Sequence, residues 1–243
     1  MRLDQFLVQY HNLESRHQAQ RLITEGVVTV NSKVVTKNSY SVSDGDKVDI
    51  TDHSILKFVS RAGLKLENAI SALQLDVAGA VCLDVGQSTG GFTDCLLQRG
   101  AAKICGVEVG HGQLHDNLRN HPQVTMFEKT HILDIDLNDL GVSKLDIIVM
   151  DVSFISIVKI FSHLNKLSQP GTKLMSLVKP QFEVGPSYLT KAGVVKDADL
   201  YPQVEARIKE QLGLAGFVVH NYLAASPRGT DGNQEFFVYA SKK

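Results

Sequence analysis

No apolar run in this chain is clean enough to cross a bilayer. The longest, Leu145 to Phe161, is broken by Asp146, Asp151 and Lys159, which excludes a spanning helix there. Cysteine is scarce as well: Cys82, Cys95 and Cys105 are scattered and form no C-x-x-C pair. That excludes a disulfide framework, leaves three small apolar residues of a reducing compartment, and gives no reason to expect a metal site. Charge of one sign is not in excess either. With 25 Lys+Arg against 26 Asp+Glu the net charge is −1, so any affinity for RNA must come from a local basic face. Met1-Arg2-Leu3-Asp4 leads into a charged, amphipathic segment, so no secretory signal is expected there. These absences predict a cytoplasmic protein with no stable membrane association.

What is present is enough for a full core. At 243 residues and 43% hydrophobic, the chain suits one large and one small domain. It is organised around Leu83-Asp84-Val85-Gly86-Gln87-Ser88-Thr89-Gly90-Gly91-Phe92-Thr93-Asp94. An apolar run from Ala80 to Val85 reads as a buried strand, breaks at glycine, and resumes as a helical pattern through Cys95, Leu96 and Leu97. A strand, a glycine-rich turn and a helix N-terminus form the place where an α/β sheet takes a nucleotide-like ligand. The spacing Gly86, Gly90, Gly91 is not the dinucleotide fingerprint. Glu108, ending the next apolar run with Val109, suits a ribose diol. Taken alone the loop could also be an ordinary strand–turn–helix. The D-x-G-x-x-x-G-G arrangement resembles the S-adenosylmethionine loop of class I methyltransferases. The resemblance implies cofactor contacts from Asp84, Gly86, Ser88, Thr89, Gly90, Gly91, Phe92, Glu108 and Val109.

Residues 1–52 read as a small α+β domain. Leu3, Phe6, Leu7 and Tyr10 recur at helical spacing. Ser15-Arg16-His17-Gln18 has the form of a capping box, Ala19, Leu22 and Ile23 continue that second helix, and Gly26 is placed to end it. Short strands follow around Val27 to Val30, Val34-Val35 and Lys47 to Ile50. Arg2-Leu3-Asp4, Ser15-Arg16, Gly26, Val30-Asn31 and Asp46-Lys47-Val48 resemble the S4 RNA-binding domain. That resemblance implies phosphate contacts from Arg2, Arg16, Arg21, Lys33 and Lys37, each able to neutralise a phosphate. The alternative is a plain solvated face, with Asp4, Glu14 and Glu25 close by.

Residues 53–57 read as a short linker, and 58–243 as a doubly wound sheet of alternating strands and helices. Four residues stand out. Lys65 lies in the opening Ser60-Arg61 helix, Asp151 ends Ile148-Val149-Met150, Lys179 ends Leu177-Val178, and Glu235 begins the last strand. Strand carboxyl ends lie on the ligand side of such a sheet, so these charges can converge there. A lysine–aspartate–lysine–glutamate set resembles the catalytic tetrad of FtsJ-type ribose 2′-O-methyltransferases, an implied site of Lys65, Asp151, Lys179 and Glu235. A ribose hydroxyl must lose its proton to attack a sulfonium methyl, and a desolvated lysine beside a second cation can take it. Lys179 is assigned as that base, Lys65 as the neighbouring cation. Together with Val109-Gly110-His111-Gly112, Lys179-Pro180-Gln181-Phe182-Glu183, Gly193-Val194-Val195 and Gly232-Asn233-Gln234-Glu235, the pattern is similar end to end to the TlyA family, an S4 domain fused to an FtsJ-like domain. What this implies is a Rossmann-like class I methyltransferase sheet, S-adenosylmethionine as cofactor, and 2′-O-methylation of cytidine in 16S or 23S rRNA on ribosomal subunits. It also implies an antiparallel last strand.

Three positions depart from the family pattern: Gln87 in the loop, Thr130-His131 where an Asn-Arg pair is usual, and Arg61-Ala62-Gly63 for a double glycine. Two rival readings are a membrane-lytic hemolysin and an RNA-binding module without catalysis. The first lacks a membrane-binding segment, and the intact tetrad argues against the second.

Overall fold

The computed structural model describes residues 1–229 and 232–243, which gather into two compact units, Met1–Phe58 and Val59–Lys243. In the first, helices α1 (Leu3–Tyr10) and α2 (Arg16–Thr24) precede strands β1 (Val28–Val30), β2 (Lys33–Val34) and β3 (Val48–Ile50), an antiparallel sheet of order β2-β1-β3. Leu3 and Leu7 of α1 and Ala19, Leu22 and Ile23 of α2 are fully buried, the i, i+3, i+4 stripe of two helices packed face to face. Half of the predicted capping box forms. Ser15 Oγ accepts from Gln18 N at 3.2 Å, while the Gln18 side chain reaches past Ser15 to accept from Glu14 N at 3.0 Å. Ser54–Lys57, within the predicted linker, is a 3₁₀ turn of this first unit.

The second unit opens with α3 (Arg61–Leu73) and alternates β4 (Val81–Val85), α4 (Gly91–Gln98), β5 (Lys103–Val107), α5 (Asp116–Arg119) and β6 (Val124–Phe127). Then come β7 (Ile147–Met150), α6 (Val158–Leu167), β8 (Lys173–Val178), the one-turn α7 (Pro180–Glu183), α8 (Tyr201–Leu214), β9 (Phe217–Ala224) and β10 (Phe236–Lys242). Seven strands form one sheet of order β6-β5-β4-β7-β8-β10-β9, parallel except for β10, which runs antiparallel to both neighbours. Every residue of β7 is buried, as a central parallel strand covered on both faces requires. This is the Rossmann-like α/β fold expected from the alternation of strands and helices.

The chain order reverses at β4, with β5 on one side and β7 on the other. Such a switch point opens a crevice at the strand carboxyl ends. Glu108 and Asp151 lie just beyond the strands that carry them, because β5 stops at Val107 and β7 at Met150. The helix between β5 and β6 is only the four residues of α5. Ser60 holds the N-cap position of α3 but makes no capping bond. Its hydroxyl lies instead against Gly91, where a Cβ would stand 2.1 Å from Ser60 Oγ.

Candidate functional site

The glycine loop crosses the switch point. Gly86 has φ +81° and lies against the β7 exit, where a Cβ would come within 2.6 Å of the Asp151 carbonyl oxygen. Only glycine allows both the conformation and the approach. Ser88 N donates to Glu108 Oε2 at 2.9 Å, Gly110 N to Glu108 Oε1 at 2.8 Å, and Ser88 Oγ to Gln113 Oε1 at 3.1 Å. The carboxylate thus ties the loop to the β5 exit, and each oxygen keeps a lone pair for a further donor.

Three cavities meet along this edge. One of about 460 Å³ has Gly86, Ser88, Glu108, Val109, His131 and Ile132 among its walls. A second, about 200 Å³, lies over Thr89, Gly91 and Phe92 and touches Asp151, Ser153 and Lys179. A third, about 490 Å³, is walled by Lys65, Ser153, Phe154, Lys179 and Glu235 among others. Gly90 and Asp84 line none of the three. Gly90 is the N-cap of α4 and packs against Leu114 and Leu118.

Asp84 lies beneath the loop, 1% exposed. Thr93 Oγ1 donates to its Oδ2 at 2.7 Å, Gln87 Nε2 donates to Thr93 Oγ1 at 2.9 Å, and Oδ1 has no hydrogen-bond partner among the described residues. Burial pushes the Asp84 carboxyl up to about 7. The Thr93 bond opposes that rise, and the charges of Asp151 and Glu108 add to it. Asp84 is therefore a support for the loop from below. Gln87, large where the family pattern has a small residue, points the same way. Its carboxamide fills the space above Gly106, where a Cβ would stand 2.0 Å from Gln87 Cδ.

The four charged residues form two ion pairs. Lys179 Nζ is 2.6 Å from Asp151 Oδ1 and donates to Ser153 Oγ at 2.8 Å. Lys65 of α3 pairs with Glu235, both buried. Glu235 reaches this end of the sheet because β10 is antiparallel: Phe236 pairs with Val178, so the start of β10 lies beside the exit of β8. Lys65, Lys179 and Glu235 share the third cavity, and Asp151 joins them through Lys179.

Two features here escape a reading of motifs. Glu183 is buried, and its carboxylate accepts from Ser156 Oγ at 2.7 Å and Ile157 N at 2.9 Å. Burial raises its pKa, with those two bonds opposing. It clips the segment after Asp151 to the segment after Lys179. Phe154 is 91% exposed at φ +66°, its ring 5.3 Å from that of Phe182. The sequence signal for Glu183 was its place in Lys179-Pro180-Gln181-Phe182-Glu183, a motif otherwise read for its lysine.

In the first unit, Asp4 is fully buried and gathers two arginines. Its Oδ1 accepts from Arg2 Nε (3.0 Å) and Gln5 N (3.0 Å), and its Oδ2 from Arg16 Nη2 (2.7 Å), Arg2 Nη2 (3.1 Å) and Gln20 Nε2 (3.1 Å). The Arg2 hydrogen bond holds the carboxyl far below the usual range against the cost of burial, with Arg16 and Gln20 adding to it. Both guanidiniums remain about half exposed. Arg21 instead donates to the Phe58 carbonyl at 2.6 Å, while Lys33 and Lys37 stand exposed on the surface.

Residues 58–242 match the FtsJ-like methyltransferase family and residues 1–48 match the S4 domain. The chain belongs to the FtsJ-like methyltransferase family. It is 37% identical to Hemolysin A of Brachyspira hyodysenteriae, covering 98% of this chain and 99% of that one. To the 16S/23S rRNA (cytidine-2'-O)-methyltransferase TlyA of Mycobacterium tuberculosis it is 36% identical, covering 98% of this chain and 88% of the relative. A solved structure from Streptococcus thermophilus that carries the hemolysin name superposes with a TM-score of 0.79 at 32% identity, covering all of this chain and 88% of that one. Among the described residues, no helix is long and apolar enough to cross a membrane, and no group of His, Cys, Asp and Glu could hold a metal ion.

The residues of this methyltransferase unit fit S-adenosylmethionine. Gly86 offers backbone with no Cβ in the way, Glu108 has acceptor capacity for a diol, and Val109 and Ile132 give an apolar wall for a base.

Proposed function

We propose that this chain methylates the ribose 2′-oxygen of a cytidine in ribosomal RNA, with Lys179 as the base. The rRNA cytidine-2'-O-methyltransferase activity named for the Mycobacterium tuberculosis relative supports the substrate. The observation that carries the mechanism is that, of the residues named for these walls, only Ser153 and Lys179 belong to both the cavity over the glycine loop and the open cavity beside it. A group there faces methyl donor and acceptor at once. S-adenosylmethionine supplies an electrophilic sulfonium methyl when bound. Lys179, in its neutral form, accepts the proton of the ribose hydroxyl at Nζ. Asp151 and Ser153 fix the direction of that nitrogen, and Glu235 fixes Lys65, which adds a second positive centre to the cavity. Glu108 and Ser88 orient the donor from the other side.

On the RNA side, the exposed ring of Phe154 borders both larger cavities and offers a face on which an unstacked base can lie. Arg2 and Arg16, their directions set by Asp4, present fixed cations to phosphates, and Lys33 and Lys37 are exposed in the same unit.

The test is transfer of labelled methyl to purified 30S and 50S ribosomal subunits, with the modified position mapped. Label on a ribose 2′-oxygen, falling by about 10³-fold in Lys179→Met with donor affinity unchanged by calorimetry, is the expected result. Wild-type protein that binds the donor but labels neither subunit would refute the reading. So would a Lys179→Met variant with undiminished transfer, which would remove the lysine from its role.

A further inference from the structure

Between α7 and α8 the chain makes a small hairpin. Leu189 and Val195 bridge antiparallel, Thr190 N donates to the Val194 carbonyl at 2.8 Å, and Lys196 N donates to the Tyr188 carbonyl at 3.0 Å. Its tip turns at Gly193, φ +78°, where a Cβ would meet nothing within 4 Å. Glycine is needed there for conformation alone. The hairpin contributes Leu189, Ala192 and Gly193 to the wall of the cavity that holds Lys65, Lys179 and Glu235. It contributes to neither cavity on the donor side.

A side chain far away in sequence grips it. Asn233 is 0% exposed; its Oδ1 accepts from Val195 N at 3.0 Å and its Nδ2 donates to the Gly193 carbonyl at 3.1 Å. One carboxamide thus satisfies a backbone donor and a backbone acceptor of the same hairpin, in a site where leaving either unpaired is costly. Asn233 lies two residues before Glu235, the partner of Lys65.

We infer that Asn233 is a positioning residue: it holds the 188–196 hairpin as the outer wall of the nucleotide cavity and ties that wall to the Glu235–Lys65 pair. This rests on the methyl-transfer reading above. The wall acts on the RNA nucleotide and leaves the donor side untouched. Its loss should therefore appear in KM for RNA more than in kcat, a split that general destabilisation does not produce.

The full-length protein serves for the test, with Asn233→Ala and, in case that variant folds poorly, Gly193→Val, which strains the tip at the carbonyl that Asn233 holds while leaving the carboxamide itself in the chain. Three readouts are taken: steady-state methyl transfer to ribosomal subunits, donor affinity by calorimetry, and the rate of tryptic cleavage after the exposed Lys191. In both variants we expect faster cleavage at Lys191, KM for RNA raised about tenfold with kcat within about threefold, and unchanged donor affinity. Faster cleavage with unaltered KM and kcat would overturn the inference, as would donor affinity falling in step with KM. Wild-type protein that transfers no methyl would overturn the methyl-transfer reading and this inference with it, an outcome distinct from normal wild-type transfer with unaltered variants.

Discussion

Each unit of this chain shuts an aspartate away from water, and the two carboxyls are pushed in opposite directions. Asp4 is surrounded by donors: two guanidiniums, a carboxamide and a backbone N–H fill both of its oxygens. Asp84 has one hydroxyl on one oxygen, no partner for the other among the described residues, and two further carboxylates nearby. Burial alone favours the neutral acid in both places. What decides the outcome is the surroundings: opposite charge and hydrogen bonds win at Asp4, while desolvation wins at Asp84. The difference matches what each unit presents outward. Asp4 stays charged so that two half-exposed arginines stand in fixed directions, whereas Asp84 sits under a loop already crowded with Glu108 and Asp151, where a further negative charge is unwelcome.

The strongest way to break the comparison is to delete Asp4. Asp4→Ala leaves Arg2 and Arg16 without their anchor and should cost about 2 kcal/mol of folding stability at neutral pH. Because the folded pKa is depressed, that loss should be present above the ordinary carboxylate range and shrink as pH falls below about 4, read by thermal unfolding of the full chain across pH. RNA affinity should fall with it, and the slope of log affinity against log salt should flatten by about one to two contacts.

Asp84→Asn should give the opposite pH dependence. The folded carboxyl titrates near 7, so between about pH 4 and that value the folded protein keeps a proton that the unfolded chain has released. Wild-type stability must therefore drop, relative to Asp84→Asn, as pH rises through this window, and the gap must stay level above it. Parallel curves for Asp4→Ala and Asp84→Asn would end the contrast. Thr93→Val sharpens it. Removing the hydroxyl that Asp84 accepts should cost about 1 kcal/mol and move the end of the window to higher pH. The smallest effect is expected of Gln87→Leu, which keeps the volume over Gly106 but loses the donor to Thr93; calorimetry should find donor affinity weakened about two- to threefold.

Much of the sheet was legible because its signals are local. Apolar runs ending in glycine, acid or lysine marked β4, β5, β7 and β8, and the glycine spacing separated this loop from a dinucleotide fold. Strand ends fall earlier than the apolar runs suggest: β5 stops at Val107 and β7 at Met150, while Glu108 N and Asp151 N each still donate once to the neighbouring strand. The direction of polar side chains was not legible at all. Nothing in the string says that Asp84 and Gln87 point down and Glu108 sideways, because that depends on Gly106 in the neighbouring strand leaving room. Asp4 looked like a charge competing with the arginines of its own helix pair, and only the packing of α1 on α2 turns it into their anchor. Glu183 and Asn233 lay inside quoted motifs, but their partners are 26 and 38 residues away, beyond any periodicity.

The Lys65–Glu235 pair spans 170 positions of chain, whereas the walls of the cavity beside Glu108 come from Val85 to Ile160. That side of the crevice rests on one continuous stretch of chain, while Lys65 meets Glu235 only where the start of β10 lies beside the exit of β8. The antiparallel β10 is in this sense a clasp, closing the unit by joining its last strand to its first helix through one buried ion pair.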